Sequence, residues 1–257
     1  MIEVKELGRD LGSRKDRKRI LDGLSFSAPP GVVTGFLGPN GAGKTTTMRV
    51  LSTLLRPTEG TATIQGHDVV ADPDGVRASI GLVTEEPGLL NRLTPRELLR
   101  FHARCHGLDD AASAHRLGVL AEAMGCLDLL DTRSGKLSKG SRAKVALLRA
   151  LLHDPPVLLL DEPTANLDVV ATDAIHELLR RPEVIDRKTV LLSTHSVDEA
   201  DRLCDRVVGI VAGKAVVEGS KADVIASVGA SDFRSAFVTL LGNATLAASA
   251  GGAGEAP

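Results

Sequence analysis

The run Val32 to Leu51, VVTGFLGPNGAGKTTTMRVL, decides how the rest of the chain is read. Inside it, Gly38 to Thr45 reads GPNGAGKT, an intact match to G-x-x-x-x-G-K-[ST], the Walker A phosphate loop. A β-branched apolar run (Val32, Val33, Thr34, with Phe36 and Leu37) precedes it, and the helix-competent run Thr46 to Leu51 follows. Strand, loop and helix in that order make a phosphate cradle. Gly38, Gly41 and Gly43 permit backbone conformations closed to other residues, so successive N–H groups can turn inward toward an anion. The helix adds its positive N-terminal end. The loop residues Gly38, Pro39, Asn40, Gly41, Ala42, Gly43, Lys44, Thr45 and Thr46 are therefore assigned to a nucleotide. Lys44 is assigned to the β- and γ-phosphates and the Thr45 hydroxyl to Mg²⁺.

The bulk properties narrow the class. The chain has 257 residues, enough for one large domain or a domain with an inserted subdomain. Apolar content of 43% and charged content of 25% are ordinary for a globular protein. A net charge of −2 supplies no global attraction to nucleic acid or an anionic membrane. Trp and Tyr are absent and only five Phe remain, so base-stacking aromatics are lacking and no nucleic-acid partner is expected. The basic run Arg14, Lys15, Arg17, Lys18 and Arg19 reads as a solvated hairpin tip. Apolar runs such as Val157 to Leu160 fall far short of a membrane span, and MIEVKELGRD lacks the apolar segment of a signal peptide. Cys105, Cys126 and Cys204 are odd in number and lack metal-type spacing. They are expected as buried small hydrophobes in a cytoplasmic protein.

Taken in order, Ile2 to Val4 and Ile20 to Phe26 predict two strands around the basic connection. Thr61 to Ile64 and Ile80 to Thr84 predict two more, the first helix ending at Pro57 to Gly60. From about Glu85 to Ala150 the pattern becomes helical. Thr94-Pro95-Arg96-Glu97 is a capping box with Pro at the first helical position, and amphipathic runs cover about Ala111 to Met124 and Lys139 to Leu152. Val157 to Leu160 and Thr189 to Ser193 predict strands buried on both faces, with a helix from about Val169 to Arg180 between them. Strand–helix alternation implies an α/β fold with a mostly parallel core sheet. The all-helical middle is an insertion. Val207 to Val211 with Ala215 to Val217 predict a late hairpin, Ser220 a helix cap, and Phe233 to Leu241 a docked helix. Residues 243–257, rich in Ala, Gly and Ser, predict a mobile tail.

Later stretches decide what the nucleotide is for. Val157 to Glu162, VLLLDE, delivers two acids at the C-terminal end of a strand, where open α/β sheets bind ligands. Asp161 is assigned to Mg²⁺ and Glu162 to the attacking water. Leu137-Ser138-Lys139-Gly140-Ser141 stands one turn before a helix. Here the sequence resembles the ATP-binding-cassette (ABC) family, whose signature in this position is LSGGQ. The resemblance covers about residues 2 to 241, and the order and spacing of the motifs match as well. VLLLDE corresponds to Walker B, Ala165-Asn166-Leu167-Asp168 looks like the D-loop, and Ser193-Thr194-His195 like the switch histidine.

The resemblance implies an ABC-type nucleotide-binding domain over residues 2–242: a mostly parallel core sheet, an N-terminal antiparallel β-subdomain and a helical insertion at about 85–150. It implies an ATPase, working with ATP and Mg²⁺, in which two copies, identical or not, face each other head to tail. Ser138 and the Gly140 N–H would contact the γ-phosphate on the other subunit, Asp168 would link the two sites, and His195 would touch the γ-phosphate in cis. Catalysis would fall to Glu162, His195 and Lys44. A separate permease would supply the membrane pathway, leaving this chain peripheral on the inner face of the cell membrane. TEEPGLLNRLTPRELL, with LSKGS and the final helix, resembles the drug- and sodium-export branch.

Several residues depart from the pattern. Glu85 stands where the family usually has Gln, and a carboxylate can still ligate Mg²⁺. Leu11 occupies the place of the usual adenine-stacking aromatic, while Lys139 and Ser141 replace Gly and Gln of LSGGQ. A competing class is a soluble, non-transport ABC ATPase in translation, DNA repair or cofactor assembly. Translation-type members carry two cassettes and repair-type members a long coiled coil, neither of which this sequence has. A phosphate-loop kinase or GTPase is opposed by LSKGS followed by VLLLDE.

Overall fold

Alternation in the four apolar runs at the centre of the chain determines the architecture. In the computed structural model, which describes residues 1–13, 16–181 and 187–251, strands β3 (Val33–Leu37), β7 (Val157–Asp161), β8 (Thr189–Thr194) and β9 (Arg206–Val211) lie side by side and parallel. Successive side chains point to opposite faces of a strand, so each run feeds two cores. Val33, Leu37, Leu158, Leu160, Val190, Leu192 and Val207 face one; Phe36, Val157, Leu159, Leu191, Val208 and Ile210 face the other. Strand β6 (Ile80–Val83) extends the sheet in parallel beside β7, and β10 (Lys214–Ser220) closes the opposite edge antiparallel to β9, giving the order β10-β9-β3-β8-β7-β6. Truncating Leu159 to alanine at the sheet centre would cost ~2–5 kcal/mol.

A second, antiparallel sheet covers the Phe36 face. Strands β1 (Ile2–Leu11), β2 (Lys18–Ala28), β4 (Glu59–Ile64) and β5 (His67–Asp68) run in the order β2-β1-β4-β5. Helix α1 (Lys44–Leu51) is packed into the same core through Met48, Val50 and Leu51. The chain next forms α2 (Pro73–Ser79), α3 (Pro95–Cys105), α4 (Asp110–Ala123) and α5 (Lys139–Leu151). Leu99, Ala103, Leu117, Ala121 and Leu147 join Leu158 and Leu160 in one buried cluster, so the helical insertion has its hydrophobic side in common with the sheet. Helices α6 (Val169–Leu179), α7 (Val197–Leu203), α8 (Lys221–Val228) and α9 (Phe233–Gly251) complete the cover, the last two docking through Val224, Phe233, Ala236 and Phe237.

Several expectations are corrected. Strands β1 and β2 run well past the apolar residues that announce them, because backbone pairing from Ile2↔Ala28 to Leu11↔Lys18 continues through polar positions. Helix α1 ends at Leu51, before Pro57 to Gly60, and Gly60 already belongs to β4. The tail expected from Asn243 is helical through Gly251, in keeping with its alanine content; residues 252–257 lie outside the described residues, as do Arg14 and Lys15 of the basic run. Arg17 and Arg19 are both ion-paired with Asp10. Cys126 and Cys204 are buried, burial raising the Cys126 thiol to about 11, but Cys105 is exposed on the outer side of α3. Among the described residues no single helix is long and apolar enough to cross a membrane; the bent pair α8 and α9 meets that test only jointly.

Candidate functional site

The site is built at the C-terminal ends of β3, β7 and β8, which parallel pairing brings level. Leu37 pairs with Thr194 and Asp161 with Ser193. The phosphate loop leaves β3 and enters α1 through Gly43, whose φ of 111° is open to glycine and strained for other residues. Thr47 Oγ1 donates to the Gly43 carbonyl at 3.0 Å, and Gly213 N–H donates to the Ala42 carbonyl at 2.9 Å, tying the loop to the β9–β10 turn. Lys44 is only 6% exposed; its Nζ donates to the Gly38 and Pro39 carbonyls at 2.8 and 3.3 Å, curling the ammonium back over the loop.

The two acids occupy different environments. Asp161, 3% exposed, accepts from the Ser193 hydroxyl at 2.6 Å and from the Thr45 hydroxyl at 3.4 Å, both on Oδ1. Glu162 follows with φ of 50°, a left-handed backbone unusual for a non-glycine residue. It is held there by its N–H, which donates to the Ser193 carbonyl at 3.2 Å and hydroxyl at 3.1 Å. The turn aims the Glu162 carboxylate between Lys44 Nζ (3.4 Å) and His195 Nδ1 (2.8 Å).

A cleft of about 550 Å³ opens over this arrangement. Asn40, Gly41, Gly43, Lys44, Thr45, Thr46, Glu85, Glu162 and His195 line it, with Leu11, Lys18 and Ile20 of the first hairpin forming a side wall. Thus most of the expected phosphate, metal and catalytic residues converge, and Asp161 is reached through Thr45. Gly38 and Ala42 are buried beneath the loop, and Pro39 is exposed outside the cleft lining. Oxygen donors around one buried carboxylate suit a hard cation such as Mg²⁺.

Ser138, Gly140 and Asp168 do not line that cleft. Ser138 caps α5, its hydroxyl accepting the Ser141 N–H at 3.1 Å; Asp168 caps α6, accepting the Ala171 N–H at 2.8 Å. The two helix starts pack together so closely that a Cβ on Gly140 would stand 2.7 Å from the Ala171 Cβ and 3.7 Å from Asp168 Oδ2. Gly140 is thus required by helix contact as well as by any role for its N–H. Val169 and Val170 beside Asp168 are 77% and 78% exposed.

Two supporting groups belong to no motif in the sequence. Ser193 positions both acids, and its sign in the sequence is a hydroxyl ending the apolar stretch Val190 to Leu192. Glu199, buried in α7, accepts from the Thr164 hydroxyl at 2.5 Å and lies 3.0 Å from His176 Nε2, pinning the segment between Glu162 and Asp168. Burial alone would raise its pKa, but hydrogen bonds from His176, Thr164 and Thr194 hold it below the ordinary glutamate value.

Known proteins carry the same pattern. The family described as ABC transporter matches residues 21–165. The chain is 35% identical over 242 residues to the ABC transporter ATP-binding protein NatA of Bacillus subtilis (strain 168), covering 94% of this chain and 98% of that protein. It is 38% identical over 217 residues to the daunorubicin/doxorubicin resistance ATP-binding protein DrrA of Streptomyces peucetius, covering 84% of this chain and 65% of that one. Among solved structures, the dimeric structure of MJ0796, a bacterial ABC transporter cassette, superposes with a TM-score of 0.78 at 25% identity, over 86% of this chain and 98% of that one.

Proposed function

Since the chain belongs to the ABC transporter family, we propose that it is the ATP-hydrolysing subunit of a transporter, closing as a dimer around two ATP molecules to drive a separate membrane permease. One observation carries this reading. The phosphate loop, Glu162 and His195 line one cleft, with Asp161 bonded to Thr45 behind them, while Ser138 and Gly140, at the start of α5, lie outside that lining. A single copy therefore holds two half-sites. Two copies placed head to tail would make each whole, the signature of one against the nucleotide of the other.

The steps follow from the groups present. The triphosphate would take the Lys44 ammonium away from the Gly38 and Pro39 carbonyls, and loop N–H groups with the start of α1 would receive its oxygens. Thr45 and Asp161 would hold Mg²⁺, with Glu85 at the cleft edge as a further oxygen donor. That ion would neutralise charge on the β- and γ-phosphates. Glu162 would accept a proton from the attacking water, an assignment its two cationic or hydrogen-bonding neighbours favour by fixing its rotamer. His195, bonded to Glu162 through Nδ1, would present its other ring nitrogen to the γ-phosphate. Leu11 and Ile20 would give the base an aliphatic wall instead of an aromatic platform. The Ser138 hydroxyl and the Gly140 N–H, at the N-terminus of the 13-residue α5, would meet the partner's γ-phosphate. Asp168 with exposed Val169 and Val170 would lie on the same contact face. Hydrolysis would remove the shared γ-phosphate and release the two copies.

A permease helix would dock near Glu85 and α3, where Leu90 and Phe101 are 57% and 66% exposed. That docking would place the chain peripherally on the inner face of the membrane, and the resemblance of TEEPGLLNRLTPRELL to the drug- and sodium-export branch favours an exporter. The domain would span residues 2–242 with its helical insertion at about 85–150. Affinity purification from detergent-solubilised membranes is the test. A multispanning membrane protein is expected to co-purify in stoichiometric amount; recovery of a water-soluble complex alone would overturn transport and leave a non-transport ABC ATPase.

A further inference from the structure

Three histidines outside the nucleotide cleft converge at the junction between the helical insertion and the edge of the main sheet. His102 and His106 sit four residues apart, on one face of α3 and its C-cap. His153 follows α5. One nitrogen from each of the three rings lies within 4.8 Å of the others. We propose that His102, His106 and His153 form a binding site for a divalent transition ion of the zinc class, separate from the Mg²⁺ of the nucleotide site.

Hydrogen bonding identifies the ligand atoms. His153 Nε2 lies 3.0 Å from the Ile80 carbonyl, which can only accept, so Nε2 carries the proton and Nδ1 presents a lone pair. His153 Nδ1 is buried without a hydrogen-bond partner, and so is His102 Nε2. An orphaned buried nitrogen is costly, and two of them within one three-histidine cluster is the condition a metal ion would relieve. The bond from His153 to Ile80 is the outer-shell contact that fixes the tautomer of a ligating histidine.

The donor set selects the ion. No carboxylate is among the three ligands, and neutral imidazole suits Zn²⁺, Co²⁺, Ni²⁺ or Cu²⁺ where Mg²⁺ and Ca²⁺ want oxygen. The nearby charges are net positive: Arg149 acts on His102, while Arg116 and Lys188 near His153 share the single carboxylate of Asp154, at 2.8 and 2.6 Å. Coulomb forces therefore oppose a cation here, and affinity must come from nitrogen–metal bonding. In a tetrahedral site with bonds of ~2.0–2.1 Å the nitrogens stand about 3.3–3.4 Å apart. The cluster reaches that spacing by turning the half-buried rings, which unstacks His106 from His153, now 3.8 Å apart between centroids. With water in the fourth position, the ion would staple α3 to the segment after α5, whose His153 is hydrogen-bonded to Ile80 at the start of β6.

The test uses the full chain without a polyhistidine tag, stripped by chelator and titrated with Co²⁺. One ion per chain is expected, with the visible absorption of tetrahedral Co²⁺, displaced by Zn²⁺ and unaffected by millimolar Mg²⁺. His102→Gln and His153→Gln should each abolish that absorption, and His195→Ala should leave it intact. X-ray absorption at the zinc edge on the unmodified chain should give three imidazole nitrogens, which decides the matter even if a variant fails to fold. Absence of stoichiometric binding, binding that survives both glutamine variants, or a shell of carboxylate or thiolate ligands would overturn the proposal.

Discussion

The Ser193 hydroxyl donates to Asp161 Oδ1 at 2.6 Å and accepts the Glu162 N–H at 3.1 Å, so one buried side chain sets the position of both acids in VLLLDE. It does so across the β7–β8 pairing, where Asp161 and Ser193 are direct partners. Ser193→Ala removes both bonds and leaves Asp161 short of a donor in a site where it is 3% exposed. The expected result is a loss of ~1–3 kcal/mol in urea denaturation. In ATPase assays kcat should fall while the equilibrium affinity for ATP changes little, because Ser193 lines no part of the cleft. An unchanged kcat would remove Ser193 as a positioning residue.

Glu162→Gln keeps the shape of the side chain and its contacts with Lys44 and His195 but cannot accept a proton. ATP hydrolysis is expected to drop ~10²–10⁴-fold, while ATP binding persists and a dimer accumulates on size exclusion in the presence of ATP. Turnover near the starting rate would show that another group takes the proton.

Gly140→Ala adds a methyl group 2.7 Å from the Ala171 Cβ, a distance that packed atoms do not tolerate. The two helix starts must separate, at ~1–3 kcal/mol, which outweighs the helix propensity gained. Ala171→Gly makes room. The double variant should therefore lose less stability than the sum of the singles, with a coupling of ~0.5–3 kcal/mol. Additive losses in denaturation would mean that the contact is not what fixes Gly140.

Glu199 titrates below its ordinary value, so the folded chain binds its proton less readily than the unfolded chain does. Its contribution to stability is complete above about pH 4.5 and is lost as pH falls through the lower folded value. Glu199→Gln should flatten that part of a plot of melting temperature against pH. Parallel curves for the two proteins would place the acid sensitivity elsewhere.

What could be read from the sequence follows from how local each signal is. GPNGAGKT, the capping box at Thr94 and the unbroken apolar runs of β7 and β8 are contiguous, and their structures match. Helix α2 is only seven residues long and its sequence has no sustained apolar period; Asp72 caps it, its carboxylate accepting the Gly75 N–H at 3.0 Å. Ser193 was passed over because its importance depends on a strand 32 residues away pairing with it in register. The histidine cluster could not be seen at all, since His153 joins His102 and His106 only after α3 and α5 have packed around the Leu99–Leu147 core. The need for Gly140 to remain without a side chain likewise emerges only from the approach of α6.

The left-handed backbone at Glu162 carries a further implication. Holding an L-residue at φ of 50° costs ~1–2 kcal/mol that glycine would not incur. The backbone at this turn would suit glycine better, and the carboxylate sits there because the nucleotide needs it. Glu162→Gly would relieve the backbone but forfeit the contacts with Lys44 and His195, so the glutamate marks where use of the molecule has overruled the preference of its backbone.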